Sequence, residues 1–213
     1  MRQITVYYLH CGVIALNDAE EHWSLGCVVM AAGNARRFGE NKLEASLDGQ
    51  TLIARALRAV PVQKCAAVAV VSQYPEILRL AEESGFLAVE NSHPDWGASH
   101  TVHLGLEALS SCSAVMFQVS DQPLLEQRSV EALAEFARLH PERITALGHG
   151  GVRGNPCVFP RRFYPELLAL TGDRGGSAVI RAHPEALVLC EVPAAELTDV
   201  DTPDALRSLQ KER

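Results

Sequence analysis

Short runs of aliphatic and β-branched residues alternate with longer segments of helical periodicity through most of this chain. The uninterrupted apolar run 68–71 is typical of a strand buried on both faces of a parallel sheet. Pro75 and Pro203 each stand at the first position of a predicted helix, which proline favours. Strands that alternate with helices form βαβ units. The predicted fold class is therefore α/β, a three-layer sandwich with a mostly parallel sheet.

The alternation begins near residue 25 and continues to the end of the chain. Strands are predicted at 27–31, 67–71, 87–90, 114–119, 144–147, 157–159 and 187–191. Helices are predicted near 51–60, 75–84, 101–110, 126–140, 161–170, 177–183 and 203–211. Residues 1–24 fit this rhythm badly, and an edge strand, a flexible extension and a mis-assigned start all stay open for them. The predicted organisation is an N-terminal extension, 1–24, and one domain, 25–213.

Composition excludes several classes of protein. A chain of 213 residues that is 47% hydrophobic can build a real core, and its net charge of −7 disfavours generic binding to nucleic acid or to a membrane surface. The six cysteines include no Cys-x-x-Cys pair, so they are interpreted as small core residues of a reduced protein. The apolar run 4–16 is too short to span a bilayer. These features predict a cytoplasmic protein.

The segment 28–42 carries the strongest indication of function. A buried strand opens there into a loop with small residues, and positions 33–42 hold three basic residues and one acidic residue. Small residues let backbone N–H groups approach a phosphate, and cations neutralise its charge. The spacing matches neither the P-loop nor the dinucleotide fingerprint. Composition alone leaves a phosphate-binding loop and an ordinary βα loop equally open.

This segment resembles the A-A-G-x-S-x-R-x-G-x-x-K signature that opens the MobA-like nucleotidyltransferases. The resemblance implies that the loop wraps a nucleoside triphosphate, with Arg37 and Lys42 on the phosphates as catalytic residues. Ala35 stands where the family has serine. The opening resembles that of the pyrimidine-using members. The nucleotide-binding residues implied here are Ala31, Ala32, Gly33, Arg37, Gly39 and Lys42.

Two acidic segments are candidates for a metal site. Asp121 follows the predicted strand 114–119, where α/β sheets place ligands, although Asp-x-Pro is also a common turn. Its segment resembles the family's S-D-Q-P motif, whose aspartate holds Mg²⁺ and whose Gln122 and Pro123 positions shape the turn. Residues 199–204 resemble the family's D-I-D-T-P-x-D terminus, which implies Asp201 as the second metal ligand with Asp199 in support. Independently of function, Thr202 or Asp201 is expected to cap the following helix.

Two further matches lie on either side of the predicted site. Segment 91–106 resembles the family's nucleotide-contacting loop and helix start, which implies that Gly97, Ser99 and Thr101 contact base and ribose. A helix capped by Ser99 explains the same residues without a ligand. Segment 150–159 resembles the family's acceptor-side segment, which implies Gly154, Asn155 and Pro156 as acceptor-binding residues, although a plain turn explains them equally.

A last match, at 172–177, departs from its pattern. It resembles the G-D-x-G-x-R motif of molybdopterin cytidylyltransferases, but Ser177 replaces the arginine. Arg174 and Arg181 stay open as substitutes.

Taken in chain order, these segments are similar to molybdenum cofactor cytidylyltransferases over about residues 26–210. The resemblance implies a Rossmann-like α/β/α fold of the nucleotide-diphospho-sugar transferase type, with CTP and molybdopterin as substrates and Mg²⁺ as cofactor. It also implies a transient contact with a molybdenum hydroxylase or its chaperone, and no nucleic-acid or membrane partner. Open alternatives are a GTP-dependent guanylyltransferase, a sugar- or polyol-phosphate nucleotidyltransferase, and a non-catalytic molybdopterin carrier for a hydroxylase.

Overall fold

The computed structural model describes residues 7–9, 12–14, 23–33 and 41–211, with side chains for the last two ranges. The described strands are β1 (Tyr7–Leu9), β2 (Gly12–Ile14), β3 (Leu25–Ala31), β4 (Ser46–Leu47), β5 (Gln50–Thr51), β6 (Ala67–Ser72), β7 (Leu87–Glu90), β8 (Ala114–Val119), β9 (Ile144–His149), β10 (Val152–Pro160) and β11 (Leu187–Glu191). The described helices are α1 (Leu52–Ala59), α2 (Pro75–Glu83), α3 (Ala98–Ala108), α4 (Gln127–Leu139), α5 (Tyr164–Leu168), α6 (Ser177–Ala182) and α7 (Pro203–Lys211).

Seven strands form the central sheet, in the order β11-β9-β10-β8-β3-β6-β7. All neighbours are parallel except the two pairs that β10 makes, with β8 and with β9, which are antiparallel. The central strand β3 is buried along almost its whole length, as its run of small and β-branched residues predicts. The predicted α/β class with a mostly parallel sheet is therefore confirmed.

Helices cover both faces of this sheet because the side chains of each strand alternate between two hydrophobic clusters. On β3, Cys27 and Val29 pack in one cluster with residues of α1, α2 and α4. Val28 packs in the other cluster with residues of α3, α5 and α6. A third, smaller cluster holds α7 against the β4–β5 hairpin through Leu47 and Leu206.

All seven predicted strands and seven predicted helices are present, with four differences of detail. The reversed direction of β10 was not predicted, because local hydrophobicity carries no information about strand direction. The β4–β5 hairpin was also not predicted. The helix expected at 161–170 is a 3₁₀ turn, Arg161–Phe163, followed by the shorter α5, because Pro165 lacks the N–H that a position deeper in a helix must donate. Strands β1 and β2 pair with each other as a separate antiparallel ribbon rather than with the central sheet.

In the described part of the chain, no helix has both the length and the apolar character needed to cross a membrane. Five of the six cysteines are described, and each of them is a free thiol.

Candidate active site

The carboxyl ends of β3, β6 and β8 meet at one edge of the sheet because these strands are parallel. Hydrogen bonds fix where β3 opens into the glycine-rich loop. Ser72 Oγ donates to the Ala31 carbonyl at 2.9 Å, and Ser120 Oγ donates to the Met30 carbonyl at 2.9 Å. The segment after β6 continues this support, since Gln73 Nε2 donates to the Ala32 carbonyl at 2.9 Å. The start of the predicted phosphate loop is thus held rigidly from both neighbouring strands.

Lys42, Asp121 and Asp201 come together at this edge from three distant parts of the chain. Lys42 Nζ donates to Asp121 Oδ2 at 2.9 Å and to Asp201 Oδ1 at 3.2 Å. The lysine side chain is 13% exposed, against 26% for Asp121 and 59% for Asp201, so the cluster opens to solvent on the Asp201 side. The two carboxylates predicted to share a metal ion therefore lie close enough to share one cation.

Local structure holds each member of this cluster in place. Asn41 caps the 3₁₀ turn Lys42–Glu44 by accepting from the Leu43 N–H at 3.2 Å. The two acidic segments are joined through the backbone, where the Val200 N–H donates to the Asp121 carbonyl at 2.8 Å. Val200 itself is fully buried. The helix cap predicted at Thr202 or Asp201 is made by Thr202, whose Oγ1 accepts from the Ala205 N–H at 3.2 Å.

Negative charge accumulates at this edge beyond what Lys42 neutralises. Burial, and then the neighbouring carboxylate of Asp121, raise the pKa of Asp199, while a hydrogen bond with Gln122 opposes the rise. Gln122 is buried and also donates to the Leu197 carbonyl at 3.4 Å, which agrees with its predicted role in shaping the turn. A site with this excess of carboxylates favours a further cation.

The donor set fits a divalent cation that brings some of its own ligands. Asp121 and Asp201 offer hard oxygen atoms, which Mg²⁺ prefers, and Mg²⁺ usually takes only one or two carboxylates together with water and substrate phosphates. Within the described residues, no group of three or more metal-binding side chains is present. The two carboxylates therefore fit a cation delivered with a phosphate ligand better than a cation held by protein alone.

The segment predicted to contact base and ribose is held by its own buried polar side chains. Asn91 Nδ2 donates to Thr101 Oγ1 at 3.2 Å, and Asn91 Oδ1 accepts from the His93 N–H at 3.0 Å. The open alternative, that Ser99 caps this helix, is wrong. The N-cap position belongs to Gly97, with no side-chain hydrogen bond. Ser99 instead lies within the first turn of α3, where it is buried.

Gly97 joins this segment to the loop 172–176. Its φ of 86° is a value that glycine adopts readily and other residues rarely adopt. A Cβ at this position would lie 2.4 Å from the carbonyl carbon of Gly172. The Ser99 N–H donates to the Gly172 carbonyl at 3.0 Å. The segment predicted to contact the nucleotide and the segment predicted to lie on the acceptor side are therefore in direct backbone contact.

We expect Gly97→Ala to lower the free energy of unfolding by about 2–5 kcal/mol, from backbone strain together with the clash against Gly172. Gly151→Ala is the matched control, since its φ is +79° but nothing lies within 4 Å of the added Cβ. The control should lose only about 1 kcal/mol in denaturant unfolding. Equal losses of unfolding free energy in the two variants would show that the close contact with Gly172 does not affect stability.

The predicted acceptor-side residues lie on β10, and its reversed direction brings their end of the strand to the same edge. Cys157, opposite Phe117, ends the pairing of β10 with β8, and residues 154–156 lie beyond it, toward the carboxyl end of β8 and within an irregular part of β10. Asn155 lines a cavity of about 160 Å³, whereas Pro156 is buried. Gly154 is in close contact with Leu197, since a Cβ would lie 2.8 Å from Leu197 Cδ2.

One polar residue of this region was missed by the sequence interpretation. Arg153 Nη2 donates to Ser177 Oγ at 3.0 Å, so a guanidinium stands beside the position where the family motif carries arginine. Arg174 and Arg181, which the sequence nominated as substitutes, are exposed. Arg153 directly precedes the predicted acceptor residues 154–156, and this position in the sequence could have indicated it.

Most of the predicted site residues are therefore brought to one edge of the sheet. Arg37 and Gly39, like Ala35, lie outside the described residues, and their roles stay predictions. Nothing in the structure tests the ligand contacts of the remaining predicted nucleotide-binding, metal and acceptor residues.

Comparison with known proteins finds relatives that match most of the chain. The chain is 27% identical over 191 residues to the purine catabolism protein PucB of Bacillus subtilis, covering 83% of this chain and 91% of that protein. A nucleotidyl transferase from Methanothermobacter superposes with a TM-score of 0.75 at 18% identity, over 89% of this chain and 97% of that one. Rv0371c of Mycobacterium tuberculosis, in complex with manganese, superposes with a TM-score of 0.70 at 19% identity, over 89% and 100%.

The family model for the MobA-like NTP transferase domain matches residues 27–187, about three quarters of the chain. This range includes Lys42 and Asp121, and the solved structures share the fold of this chain. The chain therefore belongs to the MobA-like NTP transferase family, as the sequence resemblance indicated.

Proposed function

We propose that the protein transfers CMP from CTP to the phosphate of molybdopterin or molybdenum cofactor and releases pyrophosphate. The observation that carries this proposal is the convergence of Asp121 and Asp201 on the single ammonium group of Lys42 at the carboxyl edge of the sheet. Two carboxylates can bind the divalent cation that accompanies a nucleoside triphosphate, and the lysine beside them can bind its phosphates.

The reaction is an in-line displacement at phosphorus. A phosphate oxygen of the acceptor forms a bond to the α-phosphorus of CTP, and the bond from that phosphorus to the bridging oxygen breaks. The electron pair of the broken bond leaves with pyrophosphate. The protein contributes positioning and charge neutralisation, because no covalent intermediate is needed.

Asp121 and Asp201 would hold a divalent cation, which would supply charge neutralisation on the triphosphate. Mg²⁺ is the proposed ion, and the manganese complex of Rv0371c supports a divalent cation on this fold. Lys42 already has its ammonium group between the two carboxylates. We infer that it turns toward the β- and γ-phosphates when the nucleotide binds, and that Arg37 joins it there. Both cations then stabilise the leaving pyrophosphate.

The choice of cytosine over guanine rests on the Ala31-Ala32-Gly33 opening of the loop. With Mg²⁺ present, CTP at 100 times its dissociation constant is expected to stabilise the protein by about 2.7 kcal/mol, and GTP at the same concentration by clearly less. Thermal unfolding with each nucleotide in turn measures this difference. Stronger stabilisation by GTP would assign the protein to the guanylyltransferase alternative.

The non-catalytic carrier is less well supported by the site. A carrier of molybdopterin needs no pair of carboxylates that can share a cation beside a phosphate loop. Transient contact with a molybdenum hydroxylase or its chaperone follows from the proposed product, and a cytoplasmic location agrees with the free thiols of the described cysteines.

A further inference from the structure

We propose that Arg153, supported by Ser177, forms the anion-binding subsite that holds the acceptor's phosphate group. This inference deepens the proposed function and rests on it for the identity of the acceptor. The subsite takes an organic phosphate, with its phosphate on the guanidinium and its carbon skeleton on the apolar wall of the adjacent cavity.

The guanidinium of Arg153 is fixed in one orientation by neutral acceptors. Nη1 donates to the Gly154 carbonyl at 3.2 Å and to Cys157 Sγ at 3.2 Å, and Nη2 donates to Ser177 Oγ at 3.0 Å. An arginine carries five N–H donors in a planar fork. Donors therefore remain for a ligand, in a geometry that matches two oxygens of a phosphate.

No carboxylate balances this charge in the described part of the chain, where Arg153 forms no ion pair. The side chain is half-buried rather than fully solvated. Burial raises the pKa of Cys157, so this neighbour is a neutral thiol and not a counterion. A half-buried cation with only neutral partners is less stable than one that is paired, and an anionic ligand supplies the missing charge.

The cavity beside Arg153 adds a reason to expect an organic ligand. Its volume is about 160 Å³, and its wall is mostly apolar, formed in part by Met30, Phe117, Val119 and Phe159. Polar groups on its lining come from Arg153, Asn155, Cys157 and Ser177. This volume is below the roughly 300–1,000 Å³ of a typical ligand site, so the cavity takes only part of an organic ligand, but an apolar wall with a few convergent polar groups is the lining that such sites share.

The cavity lies next to the reacting edge of the sheet. Met30 directly precedes the first residue of the Ala31-Ala32-Gly33 opening, and Val119 is two residues before Asp121. Gly175 and Gly176 complete the lining, on the loop whose first glycine contacts Gly97. Arg153 precedes the part of β10 that pairs with β8, so it lies toward the carboxyl end of β8, which Asp121 follows. The motif that segment 172–177 resembles has an arginine where this chain has Ser177, so this segment lacks that positive charge. Arg153, on β10, supplies a positive charge beside Ser177.

Phosphate binding by Arg153→Gln tests this assignment, with Arg174→Gln as the matched control on the neighbouring loop. The probe is inorganic phosphate, titrated by calorimetry against the full chain with and without CTP, because the loop predicted to hold the triphosphate also binds phosphate and CTP occupies that loop. We expect Arg153→Gln to weaken phosphate binding by about 10-fold or more, since a charged donor pair is lost, and Arg174→Gln to leave it unchanged. In the transfer assay, Arg153→Gln should raise KM for the acceptor by about 10- to 100-fold while CTP affinity stays the same.

Arg153→Lys keeps the test valid if the glutamine variant folds poorly, because it retains the positive charge. It should bind phosphate more tightly than Arg153→Gln at an unchanged melting temperature. Selective loss of phosphate binding in Arg153→Gln supports the subsite even if molybdopterin proves not to be the acceptor. Equal phosphate binding by wild type and Arg153→Gln, or loss in Arg174→Gln alone, overturns it.

Discussion

Replacement of Asp121 by alanine is expected to lower the rate of CMP transfer by about 10³-fold or more, with the fold intact. The substitution removes the more buried of the two carboxylates that can share a cation, and only Asp201, which is 59% exposed, remains to hold it. The fold is preserved because Asp121 joins the second acidic segment through its backbone carbonyl, which alanine keeps. Single-turnover transfer from labelled CTP, with melting temperature measured in parallel, checks both parts.

Asp204→Ala is the matched control for this substitution. Asp204 lies three residues from Asp201 on α7, but its side chain is 85% exposed and pairs with Arg207 rather than with Lys42. The control should keep activity within about 3-fold, since exposed ion pairs contribute little. Near-normal transfer by Asp121→Ala would contradict the metal assignment. So would an equal loss in both variants.

Replacement of Lys42 by methionine is expected to have opposite effects on two ligands. Binding of Mn²⁺ without nucleotide should become about 10-fold tighter, because the ammonium group no longer neutralises Asp121 and Asp201. Binding of CTP should become about 10- to 100-fold weaker, because a charge-assisted contact to the triphosphate is lost. Calorimetric titration of each ligand separately measures the two effects.

Lys64→Met is the matched control, since it makes the same chemical change away from the sheet edge that carries Asp121 and Asp201. Lys64 pairs with Glu135 at 2.6 Å on a surface where both side chains are 42% exposed. Neither Mn²⁺ nor CTP affinity should change in this variant. Weaker Mn²⁺ binding by Lys42→Met would show that the lysine does not compete for the metal position.

Much of the fold could be predicted because its information is local. Buried runs such as 68–71 and prolines such as Pro75 mark strands and helix starts without reference to the rest of the chain. The direction of β10 could not be predicted in this way, since it depends on which neighbours the strand pairs with. That reversal brings residues 154–156, which are proposed to bind the acceptor, to the same edge of the sheet as Asp121.

In the candidate site, too, some features could be predicted from local sequence and others depend on the folded chain. Asp121 and Asp201 could be identified from motifs, but their common contact with Lys42 is a property of the folded chain. Arg153 could not be identified in this way, because the motif at 172–177 indicates only arginines that are close to it in the sequence. The residue that reaches Ser177 is 24 positions away, on a different strand. Folding brings the start of β10 and the start of α6 into contact, although they are far apart in the sequence.

Pyrophosphate release is the most direct test of the central claim. The purified protein, CTP, Mg²⁺ and molybdenum cofactor should release one pyrophosphate for each CMP joined to the cofactor, and chelation of the metal should stop the reaction. Omission of the cofactor should also stop it, because the acceptor phosphate is the nucleophile. Tight binding of the cofactor without any pyrophosphate release from CTP or GTP would contradict the account and favour a carrier.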